Sequence, residues 1–109
     1  MGNIYLIELY NNNERFFKIG ITVHRYCRFY EIMKSGYQVN ILYMAMGYDY
    51  SEALTLESNL QSMFTPYRPT IKFGGYRECF SSVDLEEFKA KTKLFPHKEI
   101  MENIAISWR

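Results

Sequence analysis

Ile4-Tyr5-Leu6-Ile7-Glu8-Leu9, then Asn11-Asn12-Asn13, then Phe16-Phe17-Lys18-Ile19-Gly20-Ile21 form two apolar runs about a polar turn. The first run is apolar at nearly every position except Glu8, as in a strand covered on both faces. The asparagines tolerate left-handed backbone and suit a turn. The second run reads as the return strand of a hairpin. Gly20, near its end, marks a bend or a close approach of backbone. Thr22 then offers a hydroxyl suited to capping a helix. Tyr5, Lys18 and Arg28 thus fall on three successive elements that can converge.

Working outward, Val23 to Lys34 places Tyr26, Cys27, Phe29, Tyr30 and Met33 three and four apart, one face of an amphipathic helix. His24, Arg25, Arg28, Glu31 and Lys34 take the other side, with Ser35-Gly36 as the stop. Val39 to Met46 is a third strand, apolar except at Asn40. Ser51 can cap a second helix over Glu52 to Phe64, after which Pro66 and Pro69 bound an irregular segment. Gly74-Gly75 precedes a short strand or extended segment at Tyr76 to Phe80. Ser81-Ser82 caps a third helix from Val83 to about Leu94, with Asp84 and Glu86 favouring its N-terminal dipole. The tail from His97 carries a weak helical pattern (Ile100, Met101, Ile104) and Trp108, and it is expected to dock. The order β-β-α-β-α-(β)-α points to a small α+β domain, an antiparallel sheet flanked by helices.

With 109 residues there is length for one domain, 1–109. A chain of this size buries roughly two-thirds of its unfolded surface, so it folds without a metal or disulfide. Hydrophobic content of 48% excludes disorder. Ten tyrosines and eight phenylalanines either fill an aromatic core or supply a surface for bases and sugar-phosphate. A net charge of +1 rules out a global basic field, so any phosphate recognition must be local. Cys27 and Cys79 lack metal-ligand spacing. With no secretory segment, free buried thiols in a reducing compartment are the expectation. No apolar run approaches a membrane span. These features read as a cytoplasmic protein.

Three residues have two readings each. Tyr5 is a core ring with its hydroxyl at solvent, or a phenol near a water or phosphate that assists proton transfer. Arg28 is a solvated helix charge, or a guanidinium on a phosphate oxygen. Glu57, flanked by Leu56 and Leu60, is an edge carboxylate paired with an arginine, or a ligand for one hard divalent cation. Magnesium is normally held by one or two carboxylates, with water and substrate phosphate completing its shell. Phosphodiester hydrolysis needs an activated water, a cation on the phosphate and a positive group on the developing charge.

Ile4-Tyr5-Leu6-Ile7, Phe17-Lys18-Ile19-Gly20-Ile21-Thr22, Arg28, the helix with Glu57, Leu60 and Phe64, and Glu78-Cys79-Phe80 after Gly75 occur in that order. Together they resemble the GIY-YIG nuclease superfamily, in particular its branch of small phage and bacterial proteins with "YKIGIT" as the second motif. The likeness covers about residues 3–80, leaving 81–109 as a C-terminal helical extension. It implies a three-stranded antiparallel sheet with the first strand in the middle, and a site between the sheet and helices one and two. It implies an endonuclease that hydrolyses DNA and uses Mg2+ or Mn2+. By that likeness Tyr5 assists water activation, Arg28 stabilises the phosphate, Glu57 binds the metal and Glu78 supports the site. Gly20 and His24 are further supporting positions. The pattern departs from the superfamily at Asn3, where the first motif has glycine, and at Lys18, where the second motif has tyrosine. An amine at Lys18 orients water or contacts phosphate, and desolvation would lower its pKa. A histidine often found one turn after the arginine is absent, with Glu31 and Ile32 there.

Affinity for DNA is expected from Lys18, Arg25, Arg28, Arg68, Lys72 and Arg77, or from a homodimer, and it would be salt-sensitive. A bacterial or phage-infected cell is the expected setting. The competing reading is a module that kept the fold, lost the chemistry and binds nucleic acid or a protein partner. Near-neutral charge and the missing second tyrosine favour it; Tyr5, Arg28 and Glu57 disfavour it.

Overall fold

The computed structural model describes residues 1–24 and 27–106. Arg25, Tyr26 and Trp108 lie outside the described residues. Five strands and three helices follow one another as β1 (Gly2–Tyr10), β2 (Arg15–Thr22), α1 (Cys27–Lys34), β3 (Gln38–Tyr48), α2 (Tyr50–Ser62), β4 (Cys79–Phe80), α3 (Leu85–Thr92) and β5 (Glu99–Ala105). The strands form one antiparallel sheet in the order β4-β2-β1-β3-β5. The α+β class and the central position of β1 therefore hold. The expected three-stranded sheet does not: β4 and β5 extend it on both edges.

β1 is apolar at successive positions because both of its faces are covered. Tyr5, Ile7 and Leu9 join Phe16, Phe29 and Ile32 in one core under α1. Ile4 and Leu6 join Ala53, Leu56, Leu60 and Phe88 in a second core under α2 and α3. Side chains alternate across a strand, so a strand between two cores must be apolar throughout.

The expected helical extension of 81–109 is also corrected, because after α3 the tail runs as β5 along the edge of β3. Its helix-like spacing has a structural cause. Leu6 pairs with Tyr43 and Ile7 with Ile41, leaving Leu42 as an extra residue in β3. A bulge of this kind switches which face the following side chains take. Ile41 and Met44 consequently share one core, and their β5 partners Ile104 and Met101 pack on that same core. Asn103, between the two pairs, takes a positive φ of 54°, a conformation asparagine adopts more readily than most residues. Two apolar side chains three apart on one face thus belong to a strand here.

Three capping expectations are corrected. Thr22 forms a tight turn with His24, donating to its carbonyl and accepting from its N–H, and the described helix starts at Cys27. Asp49, not Ser51, holds the N-cap position of α2, and its carboxylate accepts from the Ser51 hydroxyl at 2.6 Å rather than from a helix N–H. Asp84, not Ser81 or Ser82, caps α3 by accepting from the Glu87 N–H. In α1 the buried residues are Phe29 and Ile32. Cys79 is a buried free thiol as expected, whereas Cys27 is exposed. Among the described residues no helix is long and apolar enough to cross a membrane.

The segment between α2 and β4 lies against β2 as a strap. The Tyr67 N–H donates to the Cys79 carbonyl at 2.8 Å, and the Tyr67 ring stacks on Phe16 at 5.0 Å. Glu14 ties the strap down: its carboxylate accepts from the hydroxyls of Tyr67 at 2.6 Å, Tyr37 at 2.7 Å and Thr70. Those hydrogen bonds outweigh burial and hold the Glu14 carboxyl at a pKa of about 2.

Candidate functional site

β4 is only two residues long and pairs with β2 at Phe17 and Lys18 alone. Beyond Lys18 the Ile19 N–H still donates to the Glu78 carbonyl at 3.3 Å, and from there the outer edge of β2 is met by side chains. The Ile19 carbonyl accepts from Gln61 Nε2 at 2.9 Å. The Ile21 backbone hydrogen-bonds the Glu57 carboxylate. Both side chains come from α2, where residues four apart lie on one face. Arg28, in the first turn of α1, approaches the same edge from the other face of the sheet.

The floor of this edge is a buried polar pair. Lys18 Nζ donates to Tyr5 Oη at 2.7 Å and to Glu78 Oε1 at 3.3 Å. Lys18 is 1% exposed and Tyr5 is fully buried, with Phe29 edge-on to the Tyr5 ring at 5.0 Å. Two glycines make room for the pair. A Cβ on Gly20 would lie 2.5 Å from Tyr5 Oη, and one on Gly75 would lie 2.8 Å from Lys18 Cε. Gly75 also has a φ of +84°, which disfavours any side chain.

Burial pushes the Tyr5 phenol above its ordinary pKa, against the pull of Lys18 and Arg28. Burial alone would lower Lys18, but its interactions with Tyr5 and then Glu78 outweigh that and hold it high. At neutral pH the floor is therefore an ammonium donating to a neutral phenol. The lysine expected to meet nucleic acid directly lies beneath the surface. The rim is formed by Arg28, which is exposed, and by Glu57 and Glu78, which are partly buried. Burial and then the neighbouring Glu78 raise the Glu57 carboxyl, while Lys18, the Ile21 hydrogen bond and Arg28 oppose them. Two carboxylates near one buried ammonium and one guanidinium make a compact mixed-charge site.

Tyr5, Lys18, Gly20, Arg28, Glu57 and Glu78 are thus brought together. Arg68, Lys72 and Arg77 sit on the strap. His24 is exposed and lines a cleft of about 770 Å³ beside the site, together with Ile21, Thr22, Cys27, Arg28 and Phe73. Gln61 is an addition: it bonds Ile19 and reaches Glu78 Oε2 at 3.4 Å. Its signal in the sequence is its place one turn after Glu57. Among the described residues no three His, Cys, Asp or Glu side chains could jointly hold a metal ion. The donor chemistry at the rim, the Glu57 carboxylate with Glu78 beside it, suits one hard cation that keeps water and substrate oxygens in its shell.

Comparison with models of protein families, with curated proteins and with solved structures gives no match for this chain.

Proposed function

We propose that this protein is a divalent-metal-dependent endonuclease of the GIY-YIG type that hydrolyses phosphodiester bonds of DNA. The observation that carries the reading is the Lys18–Tyr5 hydrogen bond of 2.7 Å beneath a rim of Arg28 and Glu57. A buried ammonium is costly, and here its shorter hydrogen bond goes to a phenol oxygen while Glu78 takes the longer one.

In this reading Glu57 holds Mg2+ or Mn2+, with Glu78 beside it. When bound, the cation polarises the scissile phosphate. Arg28 sits on the exposed rim, where a guanidinium can engage a non-bridging oxygen and offset the charge that develops there. Water attacks phosphorus and one P–O ester bond breaks, so a proton must leave the water and one must reach the departing oxygen. Tyr5 lies at the floor to take part in that transfer. Lys18 lowers the free energy of a transient phenolate at Tyr5, because its ammonium already donates to that oxygen. Glu78 and Gln61 hold Lys18 and the strand edge in place.

A second reading, a binding module without chemistry, draws on one observation: neither Tyr5 nor Lys18 presents appreciable surface to solvent. Cleavage of supercoiled plasmid with Mg2+ or Mn2+ separates the two. The nuclease reading expects nicking by the wild type, abolished by EDTA, by Glu57→Ala and by Tyr5→Phe. A folded wild type that leaves the plasmid intact under either metal would transfer the case to the binding module.

A further inference from the structure

The chain carries a net charge of +1, yet residues 66–77 contain Arg68, Lys72 and Arg77 and no acidic residue. All three cations are exposed, and none forms an ion pair with a carboxylate among the described residues. Two of them, Arg77 and Lys72, meet at one phenol. Arg77 Nε donates to Tyr76 Oη at 3.4 Å. The Arg77 guanidinium carbon lies 5.7 Å from the Tyr76 ring centroid, and Lys72 Nζ lies 5.8 Å from it. Arg77 first, then Lys72 and Arg68, pull the Tyr76 pKa down. Beside this cluster Arg68 and Arg77 line a pocket of about 540 Å³ with Pro66 and Tyr67.

The segment that bears these charges is fastened at several points. Pro66 bridges to Phe80 and Tyr67 bonds Cys79. Tyr67 and Thr70 are held by Glu14, and the Tyr76 N–H donates to the Phe73 carbonyl at 3.1 Å. Three like charges are therefore kept close on an ordered strap, and their mutual repulsion is relieved when an anion binds among them. Lys72 and Arg77 flank the Tyr76 ring rather than leaving it to stand alone on the surface. What the surface presents is N–H donors, which suit phosphate oxygens and carry no base information.

We propose that the strap 66–77 is a second phosphate-binding surface, separate from the rim, and that its ligand is the sugar-phosphate backbone of nucleic acid, gripped without regard to base sequence. The choice of nucleic acid over another polyanion rests on the proposed function. It is favoured by continuity, because the strap runs straight into Glu78, and Gly75 packs on Lys18. A backbone lying along the strap is led to the open edge of β2.

The test is direct binding of a labelled DNA duplex, followed by fluorescence anisotropy from 50 to 200 mM NaCl in EDTA, so that no cleavage occurs. Two unrelated sequences are compared. In R68Q/K72Q/R77Q the slope of log K against log salt is expected to fall by about 2 to 3, and in R77Q by about 1, equally for both sequences. These side chains are exposed, and circular dichroism confirms that each variant is folded. The control K93Q/K98Q is expected to leave the slope unchanged. A slope in the triple variant equal to the wild type, an equal loss per charge in the control, or a wild type without salt-dependent binding would overturn the proposal. Competition by polyglutamate as effective as by DNA would overturn the assignment to nucleic acid. The readout needs no metal, so strap-dependent binding by a protein that never cleaves leaves this proposal standing and removes the nuclease reading alone.

Discussion

Replacing Lys18 by Met and Tyr5 by Phe together is expected to make this protein more stable while abolishing cleavage. Lys18 is 1% exposed, and the one carboxylate it meets, Glu78 at 3.3 Å, has a side chain 38% exposed. The ion pair is thus buried at one end and wet at the other, so it takes the Tyr5 hydrogen bond together with Glu78 to outweigh the desolvation of the ammonium. Swapping such buried charges for apolar groups of similar volume stabilises by about 1–4 kcal/mol in favourable cases. Lys18→Met alone leaves the Tyr5 hydroxyl buried without its partner, a cost of about 1–3 kcal/mol that cancels most of the gain. The double variant removes both polar groups. For a chain of this length about 1 kcal/mol corresponds to roughly 4 °C in Tm, so a rise of roughly 4–16 °C is expected. Thermal melts and urea unfolding of the wild type, both single variants and the double variant form a complete cycle. A double variant less stable than the wild type by more than about 1 kcal/mol would refute the view that the pair is kept at the expense of stability. A double variant that still nicks plasmid would refute its part in the chemistry.

Gly20→Ala drives a methyl to 2.5 Å from Tyr5 Oη; urea unfolding should report a loss of about 1–3 kcal/mol, as for other overpacked cores. Glu57→Gln keeps an acceptor for Ile21 and removes a carboxyl whose proton affinity burial and Glu78 raise, so it should raise Tm at neutral pH while ending cleavage; a lower Tm would contradict the site's electrostatics. The native Glu14 carboxyl titrates at about 2, below its ordinary value of 4.5, so unfolding takes up a proton. Its contribution is complete above about pH 4.5 and is lost as pH falls toward 2, amounting to roughly 1–2 kcal/mol after allowance for its partial exposure. Urea midpoints measured between pH 5.5 and 2.5 should therefore fall less steeply for Glu14→Gln than for the wild type, and parallel curves would count against the hub.

The hairpin, three helices and β3 were legible in the sequence because each is written in local terms: apolar runs bounded by asparagine, or apolar residues three and four apart. The candidate site was legible as a set of residue types in order, from Tyr5 to Glu78. What local pattern does not contain is partnership between distant segments. β5 has the same three-residue spacing as a helix face, and only the bulge at Leu42 and the positive φ at Asn103 turn it into a strand with both side chains on one core. Glu14 stands in a polar turn, and nothing near it in sequence announces Tyr37, Tyr67 and Thr70. Lys18 reads as a strand lysine ready for phosphate. Its burial follows from Gly75 and Glu78, some sixty residues away, closing over it.

The class of fold and the identities of the groups available for chemistry follow from the order of residues, since propensity, periodicity and charge are properties of neighbours along the chain. Tertiary structure alone decided which of those groups lie on the floor and which on the rim. It also decided that three cations gather on one strap and that the tail completes the sheet. Burial and proton affinity depend on what is packed around a group, and packing is fixed by contacts between residues far apart in the chain.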